Sequence, residues 1–277
     1  MLVTWKYRPR DTFIQRLDPR ARLIMLAAMI VAFTQLWDLR VVVPLFGFAL
    51  ALYLLARIEW ADIRRVWLFI LVFVTLIVIA NTILGARGGP TAVRNDTTSP
   101  ALFEFGWVRI TEPRLWFLVG QLLRMLGMSL MAIPIPFTFS PTQYGISFRQ
   151  FGIPDKPAYS IDLAFRLVPT LGRDFGATMD AQRARGFELE RMRGGIFERL
   201  RKLAPLVVPV VVHAIVGGEE IVDAMDLRAF GTHPRTWSGR LTYATRDYIF
   251  IAIAIVIAVG STVLANLGAS ELWYPGL

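Results

Sequence analysis

Val66-Trp-Leu-Phe-Ile-Leu-Val-Phe-Val-Thr-Leu-Ile-Val-Ile-Ala-Asn-Thr-Ile-Leu84 runs for nineteen residues without a charge, its polar marks being Thr75, Asn81 and Thr82. At about 1.5 Å per helical residue, such a run covers most of the roughly 30 Å hydrocarbon core of a bilayer. The same test applied outward finds Leu23 to Trp37, Val41 to Ala56, Leu115 to Phe139 and Tyr248 to Leu267. The first two are short, and Trp37-Asp38-Leu39-Arg40 between them predicts a tight turn. Leu115 to Phe139 carries Gln121 and Arg124 and meets Pro134-Ile135-Pro136, where the missing N–H groups predict a kink or a stop. Tryptophans at 37, 60, 67, 116 and 273 lie near the run ends, as an interfacial belt places them. Composition agrees: the 277 residues are 55% hydrophobic and 18% charged, whereas soluble chains hold roughly 45–50% and about 25%. The expected fold class is an all-α integral membrane protein with about five transmembrane helices and additional long cytoplasmic amphipathic helices.

Charge sets the orientation. Lysine and arginine outnumber the acids 30 to 21, for a net charge of +9. Six basic residues lie in the first 22, three between Arg57 and Arg65, and fifteen in 140–246, against Arg40 alone and four between Ala86 and Arg114 in the alternate loops. The positive-inside rule then places the N-terminus and 140–246 in the cytoplasm, with the chain in the cytoplasmic (inner) membrane. The basic balance is assigned to that membrane face and not to nucleic acid. The basic N-terminus lacks the apolar core of a cleaved signal peptide. The expected domains are 1–139, with four spans and an extracytoplasmic hairpin at 86–114; 140–246, cytoplasmic; and 247–277, the last span and tail. The alternation Leu102 to Ile110 suggests that the hairpin is built of strands.

Several chemistries are excluded or weakened. There is no cysteine, so disulfides, thiolate metal sites and cysteine nucleophiles are absent. His213 and His233 share no HExxH spacing, and His213, on an apolar stripe, reads as a core histidine. Tyr7, Pro157 and Leu203 follow the three lysines, so no Lys-Ser/Thr phosphate loop is present. No catalytic, cofactor-binding or metal-binding residue is assigned. Arg124 is costly in mid-span and should face the bundle interior or a polar partner, while Asn81 reads as polar glue between helices. Glu219, Glu220, Asp223 and Asp226 leave a second reading open, a membrane prenyl- or phosphotransferase whose carboxylates hold Mg²⁺. A solvated face explains them more simply, because Asp174 and Asp180 make a poor second cluster. A secondary transporter is weaker still, with no inverted repeat of spans visible.

The 140–246 block has helical periodicity. Ile161, Phe165, Val168, Leu171, Phe175 and Met179 form one stripe, and Ile196, Leu200, Leu203, Val207, Val210 and Ala214 another. Each helix is charged at its ends, so both are expected at or just below the inner membrane surface; Leu203 to Val216 is apolar, but it has 14 residues, and Pro205, Pro209 and His213 interrupt it. Both end alike: Asp180-Ala-Gln-Arg-Ala-Arg-Gly-Phe187 aligns with Asp223-Ala-Met-Asp-Leu-Arg-Ala-Phe230 at Asp, Ala, Arg and Phe. Each copy sets an arginine at a helix C-terminus, where the helix dipole favours a cation and its fork suits a partner's carboxylate. Ordinary helix ends also favour Arg and Gly.

Tyr7, Leu17-Asp18-Pro19-Arg20-Ala21-Arg22-Leu23, Val108-Arg109-Ile110-Thr111, Arg166-Leu167-Val168-Pro169 and Ala181-Gln182-Arg183-Ala184-Arg185-Gly186 together resemble the transmembrane T component of energy-coupling factor ABC transporters, the EcfT, CbiQ and BioN-like family. The resemblance runs from about residue 7 to 267. It implies a non-catalytic subunit whose two Ala-Arg-Gly motifs dock into two cytoplasmic ABC-type ATPases. ATP and Mg²⁺ would be held by those ATPases, and a small membrane S component would capture the vitamin or transition-metal ion. Ala184-Arg185-Gly186 matches the first motif fully; at the second, Arg228 is kept, Ala229 stands in the glycine's place and Gly231 follows two positions later.

Overall fold

The computed structural model describes residues 12–85, 101–105, 108–187, 196–233, 241–269 and 272–273. The chain divides into two compact units, one built from 7–139 with 242–277, the other from 140–241.

In the first unit, α1 (Pro19–Gln35), α2 (Leu39–Leu55), α3 (Trp60–Gly85), α4 (Glu112–Ala132) and α9 (Thr245–Leu264) are the expected apolar runs with their polar ends added. Met25, Met29, Phe33, Val42, Ala49, Leu130, Phe250 and Ala254 form the core. α4 stops at Ala132 and the short α5 (Pro134–Thr138) follows, as the paired prolines require. The two strands β1 (Ala101–Phe105) and β2 (Val108–Thr111) pair antiparallel, with Phe105 opposite Val108 and Glu104 opposite Arg109. Residues 86–100 and 106–107 of the expected hairpin region, like Tyr7 and the basic N-terminal residues before 12, lie outside the described residues.

The Leu17 to Leu23 signature is a latch between helix starts. Asp18 caps α1 by accepting the Arg20 backbone N–H at 2.9 Å, and takes Arg20 Nε and Nη2 at 3.0 and 2.9 Å. The Asp18 backbone N–H donates to Asp247 at 2.8 Å, and Asp247 also accepts the N–H of Ala244, the residue before α9, at 2.8 Å. The Arg20 guanidinium lies 3.7 Å from the Tyr243 ring centre. Burial pushes the Tyr243 hydroxyl above its ordinary value, while Arg20 draws it back down. Arg22 donates to the Thr138 carbonyl at 2.8 Å, fixing the end of α5.

The second unit holds α6 (Pro141–Gln150), α7 (Asp155–Ala184) and α8 (Ile196–Leu227). α6 and α7 touch at Gly145, where a Cβ would stand 2.5 Å from the Cβ of Asp162. Asp162 is 2% exposed and pairs with Arg166 at 2.8 Å.

Two expectations are corrected. Pro205, Pro209 and His213 do not interrupt α8, which is continuous, and its Leu203–Leu227 is long and apolar enough to cross a membrane. Pro209 removes one donor, but the Pro205 carbonyl that it would have served accepts Gln182 Nε2 at 3.2 Å. Nor is His213 in a core. It is exposed on α8, because only 6% of the most apolar window of Leu203–Leu227 is buried. Trp60–Asn81, Glu112–Thr138 and Thr245–Ala269 also meet the length and apolarity of a span, and α2 is a shorter apolar helix. The chain is a multi-pass membrane protein.

Candidate functional site

The two aligned segments fold into one and the same turn. In the first, Arg185 N–H donates to Gln182 at 3.0 Å, Gly186 N–H to Arg183 at 2.9 Å and Phe187 N–H to Gln182 at 3.0 Å. In the second, Arg228 N–H donates to Met225 at 3.1 Å, Ala229 N–H to Asp226 at 2.9 Å and Phe230 N–H to Met225 at 3.0 Å. Each bond has its counterpart at the aligned position. Both are Schellman closures, in which backbone N–H groups satisfy the last carbonyls of the helix through a residue in the left-handed region. Gly186 supplies that residue at φ 85° and Ala229 at φ 52°.

The degenerate second motif, Leu227-Arg228-Ala229, therefore keeps the turn and the arginine, and loses the alanine and the residue type that adopts the turn without strain. Gly231, at φ 86°, does not close the helix; it forms the next bend, where a Cβ would lie 3.2 Å from Lys156 Cε. Because the turn uses backbone donors, neither arginine is needed to cap its own helix. Arg185 and Arg228 are exposed, as are Ala184, Gly186, Ala229 and Gly231.

The helix pair sets the two arginines apart. The Phe230 ring lies 4.8 Å from that of Tyr159, near the start of α7, while Gln182 at the end of α7 reaches Pro205 in α8. α7 and α8 are thus antiparallel, with one arginine turn at each end of the pair. The length of α7 between them is roughly 40 Å at about 1.5 Å per residue.

Other sequence candidates fall elsewhere. Arg124 is buried in the membrane unit, where Nε donates to the Phe33 carbonyl and Nη2 to that of Thr34 at 2.7 Å, with the guanidinium 3.6 Å from the Trp37 ring centre. These carbonyls end α1. The N–H groups of Trp37 and Asp38, four residues on, both donate instead to Ala269, at 3.0 and 3.2 Å. Gly127 permits the approach, since a Cβ there would stand 2.3 Å from the Phe33 ring. Asn81 is half-buried on α3. Glu219, Glu220, Asp223 and Asp226 are exposed on α8, and among the described residues no group of three or more His, Asp or Glu could hold a metal ion. Sequence reasoning missed Gln182 and Asp162. Pro209 implies that the carbonyl of residue 205 lacks its helical donor, but nothing in the sequence names Gln182 as the group that supplies one, and nothing marks Asp162 as buried.

The chain is similar to known proteins over most of its length. Residues 10–237 match the family CbiQ, described as cobalt transport protein. The chain is 25% identical over 278 residues to the energy-coupling factor transporter transmembrane protein EcfT of Clostridium kluyveri, covering 97% of this chain and 96% of that one. It is 27% identical to the protein of the same name from Staphylococcus aureus, covering 96% and 98%, and 24% identical to that from Bacillus subtilis, covering 93% and 96%. With the family match spanning most of its length, the chain belongs to the CbiQ family and is an energy-coupling factor transmembrane component.

Proposed function

We propose that this chain is the non-catalytic coupling subunit of an importer, passing ATP-driven motion from two cytoplasmic ABC-type ATPases to a small S component that captures a vitamin or a transition-metal ion. The observation that carries the reading is the pair of turns with one hydrogen-bond pattern, each holding an exposed arginine, at opposite ends of one antiparallel helix pair. A planar fork at a helix C-terminus is suited to bidentate capture of a carboxylate on each ATPase. ATP and Mg²⁺ belong to those ATPases. The distribution of lysine and arginine supports an inner-membrane location with the N-terminus and the 140–246 block in the cytoplasm. The exposed Val208, Val212, Ile215 and Val222 of α8 supply an apolar platform for the S component.

Replacing both forks tests the reading. Arg185→Glu combined with Arg228→Glu should abolish co-purification of the ATPases from native membranes while the chain still inserts. Full recovery of the ATPases with the double variant would overturn the proposal.

A further inference from the structure

Gln182 stands where the first arginine turn meets α8. Its backbone carbonyl accepts the N–H groups of both Arg185 and Phe187, at 3.0 Å each, and so closes the turn. Its side-chain Nε2 donates to the Pro205 carbonyl of α8 at 3.2 Å. In an uninterrupted helix that carbonyl would accept the N–H four residues on, but residue 209 is proline and has none. The amide side chain takes the place of the missing donor, in a bond at the exposed surface of the helix pair. The corresponding residue of the second turn is Met225, which carries no N–H on its side chain. The tie is therefore built into the first turn alone.

We propose that Gln182 is a positioning residue: it completes the α8 backbone at the Pro205–Pro209 turn and thereby ties the turn that carries Arg185 to α8, so that displacement of Arg185 is passed into that helix. The transmission part rests on the function proposed above; the tie does not. Helix-internal prolines permit bending, and a bend without a fixed partner would let the two arginine turns vary in separation. The bond from Gln182 holds α8 at Pro205 and joins it to the segment that carries Arg185.

The chain contains no cysteine, so Ala181→Cys with Ala224→Cys, both exposed, places two spin labels beside the two turns without background labelling. In the full chain in lipid nanodiscs, Gln182→Met, which copies Met225, should at least double the width of the distance distribution. Gln182→Glu, ionised at neutral pH and unable to donate, should do the same. Pro209→Ala restores an N–H opposite the Pro205 carbonyl, and in that background Gln182→Met should have no further effect. An unchanged width in Gln182→Met, a Gln182→Glu variant that behaves as the parent, or equal broadening in both backgrounds would each overturn the tie.

The second readout is solute taken up per ATP hydrolysed in the reconstituted complex. It should fall several-fold in Gln182→Met with ATPase recovery unchanged, and be insensitive to that change when Pro209→Ala is present. A constant ratio would overturn the transmission role. If the unmodified chain brings down no ATPase, the proposed function and the transmission role fall together, while the label distances still decide the tie.

Discussion

At the end of α1 the carbonyls of Phe33 and Thr34 are taken by Arg124, which arrives from α4 and is 9% exposed. At the ends of α7 and α8 the last carbonyls are taken by backbone N–H groups, and Arg185 and Arg228 remain exposed. All three arginines sit where the helix dipole favours a cation, yet they are used in opposite ways. The difference lies in where the backbone donors go. After α1, the Trp37 and Asp38 N–H groups turn away to Ala269, leaving two carbonyls that an apolar surrounding will not hydrate. After α7 and α8, the chain folds back into the left-handed region and satisfies itself. An arginine stays exposed at these helix ends where the backbone has made it dispensable to the carbonyls of its own helix.

The largest effect expected from breaking this contrast is at Arg124. Arg124→Leu strips one buried and one partly buried carbonyl of their donors and should destabilise the membrane unit by about 1–4 kcal/mol. Arg124→Lys should lie between leucine and the parent, because an ammonium keeps the charge but lacks the flat fork that reaches two carbonyls while stacked on Trp37. Thermal unfolding in detergent checks the order. A leucine variant as stable as the parent would mean that Arg124 is not the cap of α1. Such a variant, where folded, should still recover the ATPases proposed as partners.

The same contrast explains what could be read from the sequence. Apolar runs mark spans because length and the absence of charge suffice, and α1, α2, α3, α4 and α9 lie where those runs do. The paired segments Asp180 to Phe187 and Asp223 to Phe230 were legible as a repeat because a turn is a local event, encoded within eight residues. Distant backbone partners leave no such mark. The sequence places Arg124 in a span and implies a polar partner, but any of the 277 residues can offer a carbonyl, so Phe33 and Thr34 could not be named. The continuity of α8 was hidden for the same reason, since the donor that compensates Pro209 sits on α7, 27 residues earlier in the chain. His213 was placed in a core because an apolar stripe does not say whether protein, lipid or a partner covers it.

A smaller effect is expected from making the two arginine turns alike in the costly direction. Gly186 sits at φ 85°, and a Cβ there would meet nothing within 4 Å, so Gly186→Ala carries a purely conformational penalty of about 1 kcal/mol. Opening of the turn should become about fivefold more frequent, read as faster hydrogen exchange at the Phe187 amide, which the turn protects. The Gln182 contact to α8 should survive this change. A slower exchange, or one that spreads along all of α7, would show that the turn is not a local unit.

The reciprocal change is the smallest and the most direct. Ala229 already holds the left-handed region at φ 52° with the same three hydrogen bonds as the first turn, so its strain is stored in the folded chain. Ala229→Gly should release about 1–2 kcal/mol of that strain and return part of it, about 0.5–1 kcal/mol, as added freedom of the unfolded chain. The net gain lies between about 0 and 1.5 kcal/mol, and the Phe230 amide should exchange up to about tenfold more slowly. Because Arg228 is the residue before the strained position, the gain should appear as a firmer presentation of its guanidinium, with overall thermal stability barely moved. Faster exchange at Phe230 would mean that an alanine fits this turn better than a glycine, and that the second motif departs from the first by adaptation to its site and not by tolerated strain.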